Sequence, residues 1–265
     1  MAKKVFIAPG HGGSDPGACA NGLKEKDLNL TISLACRDEL ERHGVSVKMS
    51  RETDVAETLS QQTNESNAFN PDLSVNIHNN AGGGDGAEVF YSINSINGGT
   101  DKTLALNILD ALKEIGQNSR GAKTRKGTNG DYYGYIRNTK NPAVIVECAF
   151  LDNKNDVQIV DTVEEQKAMG VAIAKGILKT LGIDYKEQEE TTGANFSVSK
   201  WGVYTVTPEV GLWLRSGAST NEPTIELMRC GSKVICYGFY NGDWYQVASE
   251  NGKVGFCHSD YLKKS

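Results

Sequence analysis

The pattern opens on an unbroken apolar run, Val5-Phe6-Ile7-Ala8, which gives way to Pro9-Gly10-His11-Gly12-Gly13-Ser14-Asp15-Pro16-Gly17. A short apolar run bounded by turn residues predicts a buried strand that ends in a loop. His11 then stands at the strand's carboxyl end, where ligands gather in open α/β sheets. Apolar residues next recur at Leu28, Ile32, Ala35, Cys36 and Leu40, the spacing of one helical face, and Gly44 is a stop signal. A helix over 26 to 42, lying on a sheet, is predicted. A strand over 45 to 49, a polar helix over 55 to 69 and a strand over 73 to 78 follow. Alternation of strand and helix implies parallel strands joined by crossover helices.

Beyond Gly82-Gly83-Gly84 the pattern predicts a strand over 87 to 91 and a helix over 101 to 115. The polar stretch 116 to 141 is rich in Gly, Lys and Arg and predicts a loop. It is longer than ordinary connections, which points to a functional or mobile segment. Ala143-Val144-Ile145-Val146 then reads as a fully buried strand with Glu147 at its end, and a helix over 162 to 181 closes the first domain. From 184 the chain turns acidic and aperiodic, as linkers do. Past about 196 come short strands with turn signals at Thr207-Pro208, Asn221-Glu222-Pro223, Asn241-Gly242-Asp243 and Asn251-Gly252. The expected fold class is α/β, a mostly parallel twisted sheet with flanking helices, plus a small all-β barrel. The expected division is a first domain over 1 to 183, a linker over 184 to 198 and the barrel over 199 to 265.

The chain has 265 residues, room for one or two domains, and a net charge of -5 without long blocks of like charge. Nucleic-acid binding and membrane insertion are therefore not expected. No apolar run reaches the roughly 18 residues of a membrane helix. Met1-Ala2-Lys3-Lys4 leads directly into a strand, so no secretory signal is expected. The six cysteines are scattered, away from zinc-site spacing, and are expected to be buried, reduced thiols of a protein made in the cytoplasm.

His11, His78 and Glu147 each fall at a predicted strand end, and Glu25 precedes the helix that must return toward the His11 loop. Two imidazoles and a carboxylate with an open fourth position make a catalytic zinc set, and a further carboxylate is the natural general base. Each residue also has a plainer role available. His78 fits a satisfied core histidine, Glu25 and Asp27 fit a helix's first turn, and Glu88 competes with Glu25 for the third position. Glu147 is harder to explain away, because burying a carboxylate at the end of an apolar strand is costly without a partner. His43 and His258 read as surface residues.

Taken together, His11-Gly12-Gly13 with Asp15-Pro16-Gly17-Ala18, Glu25-Lys26-Asp27-Leu28-Asn29-Leu30, Ser50-Arg51 with Asp54, Ile77-His78-Asn79-Asn80-Ala81 and Pro142-Ala143-Val144-Ile145-Val146-Glu147 with Phe150 resemble the type 3 zinc N-acetylmuramoyl-L-alanine amidases. The resemblance runs through nearly all of residues 1 to 183. It implies His11, Glu25 and His78 as zinc ligands, Glu147 as the catalytic glutamate, and peptidoglycan as substrate, cut between the lactyl group of N-acetylmuramic acid and L-alanine. Asn76, Asn79 and Ala149 depart from common residues of that family and bear on pocket lining. An oxyanion helper is not singled out, Arg137 and Lys140 being two options on the long loop.

Gly211-Leu212-Trp213-Leu214-Arg215-Ser216-Gly217, Asp243-Trp244-Tyr245-Gln246-Val247 and Gly252-Lys253-Val254-Gly255-Phe256 are similar to bacterial SH3-like cell-wall-binding domains. Trp213 and Trp244 are expected in the barrel's core, with Tyr240 as an exposed stacking residue. The combination resembles a phage or prophage endolysin, which implies action on the wall after release through a separate membrane pore. Alternatives are a host autolysin or sporulation amidase, a zinc peptidase of the stem peptide, and a non-catalytic wall-binding protein. No oligomeric state is implied.

Overall fold

The computed structural model describes residues 2–187 and 195–265. They fall into two compact units, Met1–Lys186 and Glu187–Ser265. Residues 188 to 194 of the linker expected over 184 to 198 lie outside the described residues.

In the first unit the elements are β1 (Lys4–Pro9), a short hairpin of β2 (Cys19–Ala20) and β3 (Leu23–Lys24), α1 (Glu25–Arg42), β4 (Ser46–Met49), α2 (Leu59–Phe69), β5 (Leu73–Asn80), β6 (Ala87–Phe90), α3 (Thr100–Glu114), β7 (Ser119–Lys123), a second short hairpin of β8 (Lys126–Gly127) and β9 (Gly130–Asp131), α4 (Gly134–Asn138), β10 (Ala143–Phe150), α5 (Lys154–Val157) and α6 (Val163–Leu181). Six strands form one twisted sheet in the order β4-β1-β5-β10-β6-β7. The pairs among β4, β1, β5 and β10 are parallel, β10 with β6 is antiparallel and β6 with β7 is parallel. The expected mostly parallel sheet is therefore present, with one antiparallel joint.

Its two faces are covered unequally, because successive strand residues point to opposite sides. Val5, Ile7, Val75, Ile77, Val144 and Val146 meet α1, α3 and α6 in the larger core. Phe6, Ala8, Phe90 and Ile145 meet Tyr135 and Ile136 of α4 in a smaller one. Thr58 caps α2 and Thr162 caps α6, each in a reciprocal capping box. The cap explains why α2 starts at Leu59 rather than near 55.

Two expectations about the elements of the first unit need correction. The stretch 116 to 141 is no plain loop: it holds β7, β8, β9 and α4. β7 reads Ser-Arg-Gly-Ala-Lys and pairs on one side only, so it has no apolar period to betray it. Glu147 and His78 also lie within strands, because β10 and β5 both continue past them, with a bulge in their pairing between Glu147 and Phe150. Bulges re-aim side chains and recur beside functional sites.

The second unit comprises β11 (Asn195–Val206), β12 (Leu212–Arg215), β13 (Thr224–Met228), β14 (Lys233–Asn241), β15 (Trp244–Ala248), β16 (Val254–His258) and β17 (Leu262–Lys264). They form an antiparallel sheet ordered β13-β12-β16-β15-β14-β11-β17 around Tyr204, Val206, Leu214, Val234, Val247 and Cys257. Both Asn-Gly pairs turn hairpins, Gly242 and Gly252 having φ of 54° and 76°. Among the described residues, no helix is long and apolar enough to cross a membrane. Four cysteines are buried, but Cys19 and Cys230 are exposed, contrary to expectation, because Cys19 lies on the two-residue strand β2 and Cys230 in a turn, both outside the cores.

Candidate functional site

His11, Glu25 and His78 come together: each offers a ligand atom, and these atoms all lie within 4.8 Å of one another. Three local devices produce this. The chain leaves β1 into a left-handed turn, His11 itself having a φ of 60°. β5 carries His78 beside it, the two rings meeting edge to face at 5.0 Å. Glu25 opens α1, whose first turn is delivered to the same place by the β2–β3 hairpin, and its carboxylate is buried. Close approach demands glycine at two positions. A Cβ on Gly10 would lie 2.2 Å from the His78 ring, and one on Gly17 2.4 Å from Glu25 Oε2.

The hydrogen bonds settle which imidazole nitrogens face inward. The Asn76 amide donates from Nδ2 to the Ala8 carbonyl at 2.8 Å, so its Oδ1 faces His78 Nε2 at 3.1 Å and can only accept. His78 therefore carries hydrogen on Nε2 and presents Nδ1 to Glu25 Oε1 at 2.9 Å. Likewise the Asp15 carboxylate accepts from His11 Nδ1 at 2.8 Å, leaving Nε2 to face Glu25 Oε2 at 3.1 Å. Ala18 N–H and Asn79 N–H also donate to Glu25. With both outer nitrogens committed as donors, the inner pair and the carboxylate are arranged to share protons or a cation. The electrostatics agree. Glu25 pulls the His11 imidazole up to about 9, against burial, with help from Asp15. Burial acts to raise Glu25, yet hydrogen bonds from His11 and His78 hold it well below the usual carboxylate range.

Glu147 is the register partner of His78 on one side and of Glu88 on the other. The two glutamates sit in opposite environments. Burial pushes Glu147 up to about 7, with Glu25 and Glu88 adding to the effect and His78 opposing it. Burial acts to raise Glu88 too, but Lys123 and Arg120 pull it below its ordinary value. Arg120 Nε lies 2.9 Å from Glu88 Oε2, and Lys123 Nζ bonds the same oxygen. The two neighbouring carboxylates are thus pushed apart, Glu147 toward its protonated form and Glu88 toward its ionised one. Glu88 is thus engaged by cations, away from the His11–Glu25–His78 group.

Other expected positions fall elsewhere. Arg137 and Lys140 line a polar recess of about 450 Å³ with Asp101 and Asp131, beside Ala143 at the start of β10. His43 is no surface residue: its side chain is 2% exposed, stacked on Tyr185 and bonded to Glu39 and Lys186. In the second unit Trp213 is 44% exposed, because Leu212 and Leu214 take the inward positions of β12. With Trp244, His258, Tyr261 and Arg215 it lines a groove of about 450 Å³. The Tyr240 ring is covered by Lys200 Nζ at 3.5 Å. Sequence reasoning named Gly10, Asp15, Gly17 and Asn76 but not what they do through space: Asp15 and Asn76 fix the imidazoles, and Gly10 and Gly17 leave room behind them.

Residues 5–179 match the N-acetylmuramoyl-L-alanine amidase family and residues 210–263 match the bacterial SH3 domain. N-acetylmuramoyl-L-alanine amidase CwlM of Bacillus licheniformis is 37% identical over 193 residues, 70% of this chain and 74% of that protein. The endolysin of Bacillus phage SPP1 is 33% identical over 233 residues, 83% of each chain. The solved structure of Cwp6 from Clostridium difficile superposes with a TM-score of 0.67 at 44% identity, over 68% of this chain but only 30% of that one. The chain belongs to the N-acetylmuramoyl-L-alanine amidase family, an enzyme whose amidase region is followed by a bacterial SH3 domain.

Proposed function

We propose that the chain is a zinc-dependent peptidoglycan hydrolase that cuts the amide between N-acetylmuramic acid and the L-alanine of the stem peptide. The observation that carries this reading is the convergence of His11, Glu25 and His78 with Glu147 next in register. His11 Nε2, His78 Nδ1 and Glu25 would hold the zinc; the outward hydrogen bonds to Asp15 and Asn76 leave those atoms bare, as a metal requires. The chemistry zinc supplies in such a set is polarisation of a carbonyl and acidification of water. Glu147 takes the proton of the attacking water and passes it to the leaving amine, a role suited to a carboxylate raised toward neutrality. Glu88, tied to two cations, stays ionised and does not compete for that proton.

The expected domain plan is kept: a catalytic domain over 1 to 183, a linker over 184 to 198, and a wall-binding domain over 199 to 265. The likeness to the SPP1 endolysin over 83% of both chains favours a phage or prophage endolysin. That reading carries synthesis in the cytoplasm and passage to the wall through a separate membrane pore. Mass spectrometry of products from purified walls, with and without a chelator, tests the chemistry. A new amino terminus on L-alanine that disappears on chelation is expected. Cleavage inside the stem peptide would make the chain a peptidase instead, and intact walls would leave a binding protein.

A further inference from the structure

We propose that Arg120 and Lys123 of β7 form a subsite for a carboxylate on the peptide part of the substrate, two or three residues beyond the scissile amide. The proposal rests on the amidase reading above.

Sheet register lays the parts out in a row. His78 on β5, Glu147 on β10 and Glu88 on β6 are successive register partners, so their side chains rise from one face. The next strand is β7, which brings Arg120 and Lys123 to Glu88. The row runs from metal ligand to proton carrier to basic pair. It also has a direction. Glu147 delivers its proton to the leaving amine, so the peptide must depart on the side of Glu147 away from the histidines, over β6 toward β7. Strands stand ~4.8 Å apart, which puts β7 about 10 Å from β10, and an extended peptide covers that distance in roughly three residues.

The charge at this place exceeds what the fold requires. Glu88 is a single carboxylate whose side chain is 8% exposed, and one cation would neutralise it. It has two, both on Oε2, and their side chains remain 37% and 36% exposed. The group therefore presents one surplus positive charge to the outside. It is held in place as well, because the Arg120 guanidinium lies 5.0 Å over the Phe150 ring. A half-exposed, pre-oriented cation pair beside a catalytic carboxylate recognises an anion. On an extended peptide that anion is a carboxylate.

The test uses three N-acetylmuramoyl tripeptides: one with a free carboxylate on the second residue and at the carboxyl terminus, which is the third residue's, one with the second residue's carboxylate converted to carboxamide, and one amidated at the terminus alone. The full-length protein is expected to lose at least tenfold in kcat/KM on one of the two amidated substrates, through KM rather than kcat, which identifies the carboxylate read. In Lys123→Met and in Arg120→Gln the ratio between free and amidated substrate should fall below threefold. In Glu88→Gln, which leaves the cations unopposed, the ratio should be kept or rise. Equal kcat/KM on all three substrates, or a ratio that survives in both cation variants, overturns the subsite. If mass spectrometry finds no amino-terminal L-alanine peptide from any substrate, the amidase reading itself is overturned, and the subsite with it.

Discussion

At Asn76 a single amide decides which nitrogen of His78 faces Glu25, because Nδ2 is spent on the Ala8 carbonyl and Oδ1 must accept from Nε2. Asn76→Ala should therefore keep the fold but weaken zinc binding by about 10- to 100-fold, measured by competition with a chromogenic chelator. Unchanged affinity would show that the packing of Gly10 against the ring is enough to orient it. Glu147→Gln should behave in the opposite way, retaining zinc stoichiometry while losing roughly 100- to 10,000-fold in turnover of muropeptides. Near-normal turnover would remove Glu147 from the reaction. The two variants separate what was legible in the chain from what was not. His11, His78 and Glu147 stand out because each falls where a strand is expected to end, Glu25 because it precedes the helix returning to the His11 loop, and Glu147 also because a buried carboxylate is costly. Asn76 was visible only as an unusual choice, since its meaning depends on Ala8, a residue 68 positions away brought alongside by strand pairing.

Among the elements, the helices and central strands follow from apolar period, and the failures are the short and edge segments between 116 and 141, the far ends of β5 and β10, and the close of α1. β7 carries Arg120 and Lys123 where a buried strand would carry Val or Ile, so the residues that give it a function also hide it. The last turn of α1 was misjudged in a similar way. His43 looked exposed because nothing nearby in sequence covers it; the cover comes from Tyr185 and Lys186, after α6. There the imidazole donates from Nδ1 to the Glu39 carbonyl at 2.8 Å and accepts the Lys186 N–H at 2.9 Å. Arg42 bonds both the Glu39 carboxylate and the Lys186 carbonyl. Burial acts to raise Glu39, but Arg42, with Tyr185 and His43, holds its pKa below the usual range. A carboxylate depressed in the folded state adds stability above its unfolded pKa of about 4.3 and loses it as pH falls through the folded value. Glu39→Gln should thus cost about 1 kcal/mol at pH 7 and almost nothing near pH 2, in urea melts followed by the fluorescence of a probe on the first unit. An equal loss at both pH values would mean that shape, not charge, is what Glu39 contributes.

For the whole molecule, the question is how the reaction and the hold on the wall are divided. Every residue proposed for zinc and proton transfer lies within Met1–Lys186, and the aromatic groove lies within Glu187–Ser265. The shift from α/β to all-β was legible from the change in periodicity and turn spacing. The position of the aromatics was not, since tryptophan count alone suits a small core as well as a binding face. Strand alternation decides it: with Leu212 and Leu214 inside, Trp213 and Arg215 must face out, and Trp244, His258 and Tyr261 complete the groove from neighbouring segments. A buried aromatic anchor in an interface is commonly worth ~2 kcal/mol or more. Trp213→Ala in the full chain should accordingly weaken retention on purified sacculi by roughly ten- to thirtyfold, while kcat/KM on a soluble muropeptide and zinc content stay as they were. Because Trp213 is already 44% exposed, the second unit should melt within a few degrees of its original temperature, so that lost retention cannot be put down to unfolding. Retention that persists would move the anchor off this groove. The Lys200–Tyr240 contact, where a cation already occupies the ring face, would then be the next surface to open by Lys200→Ala.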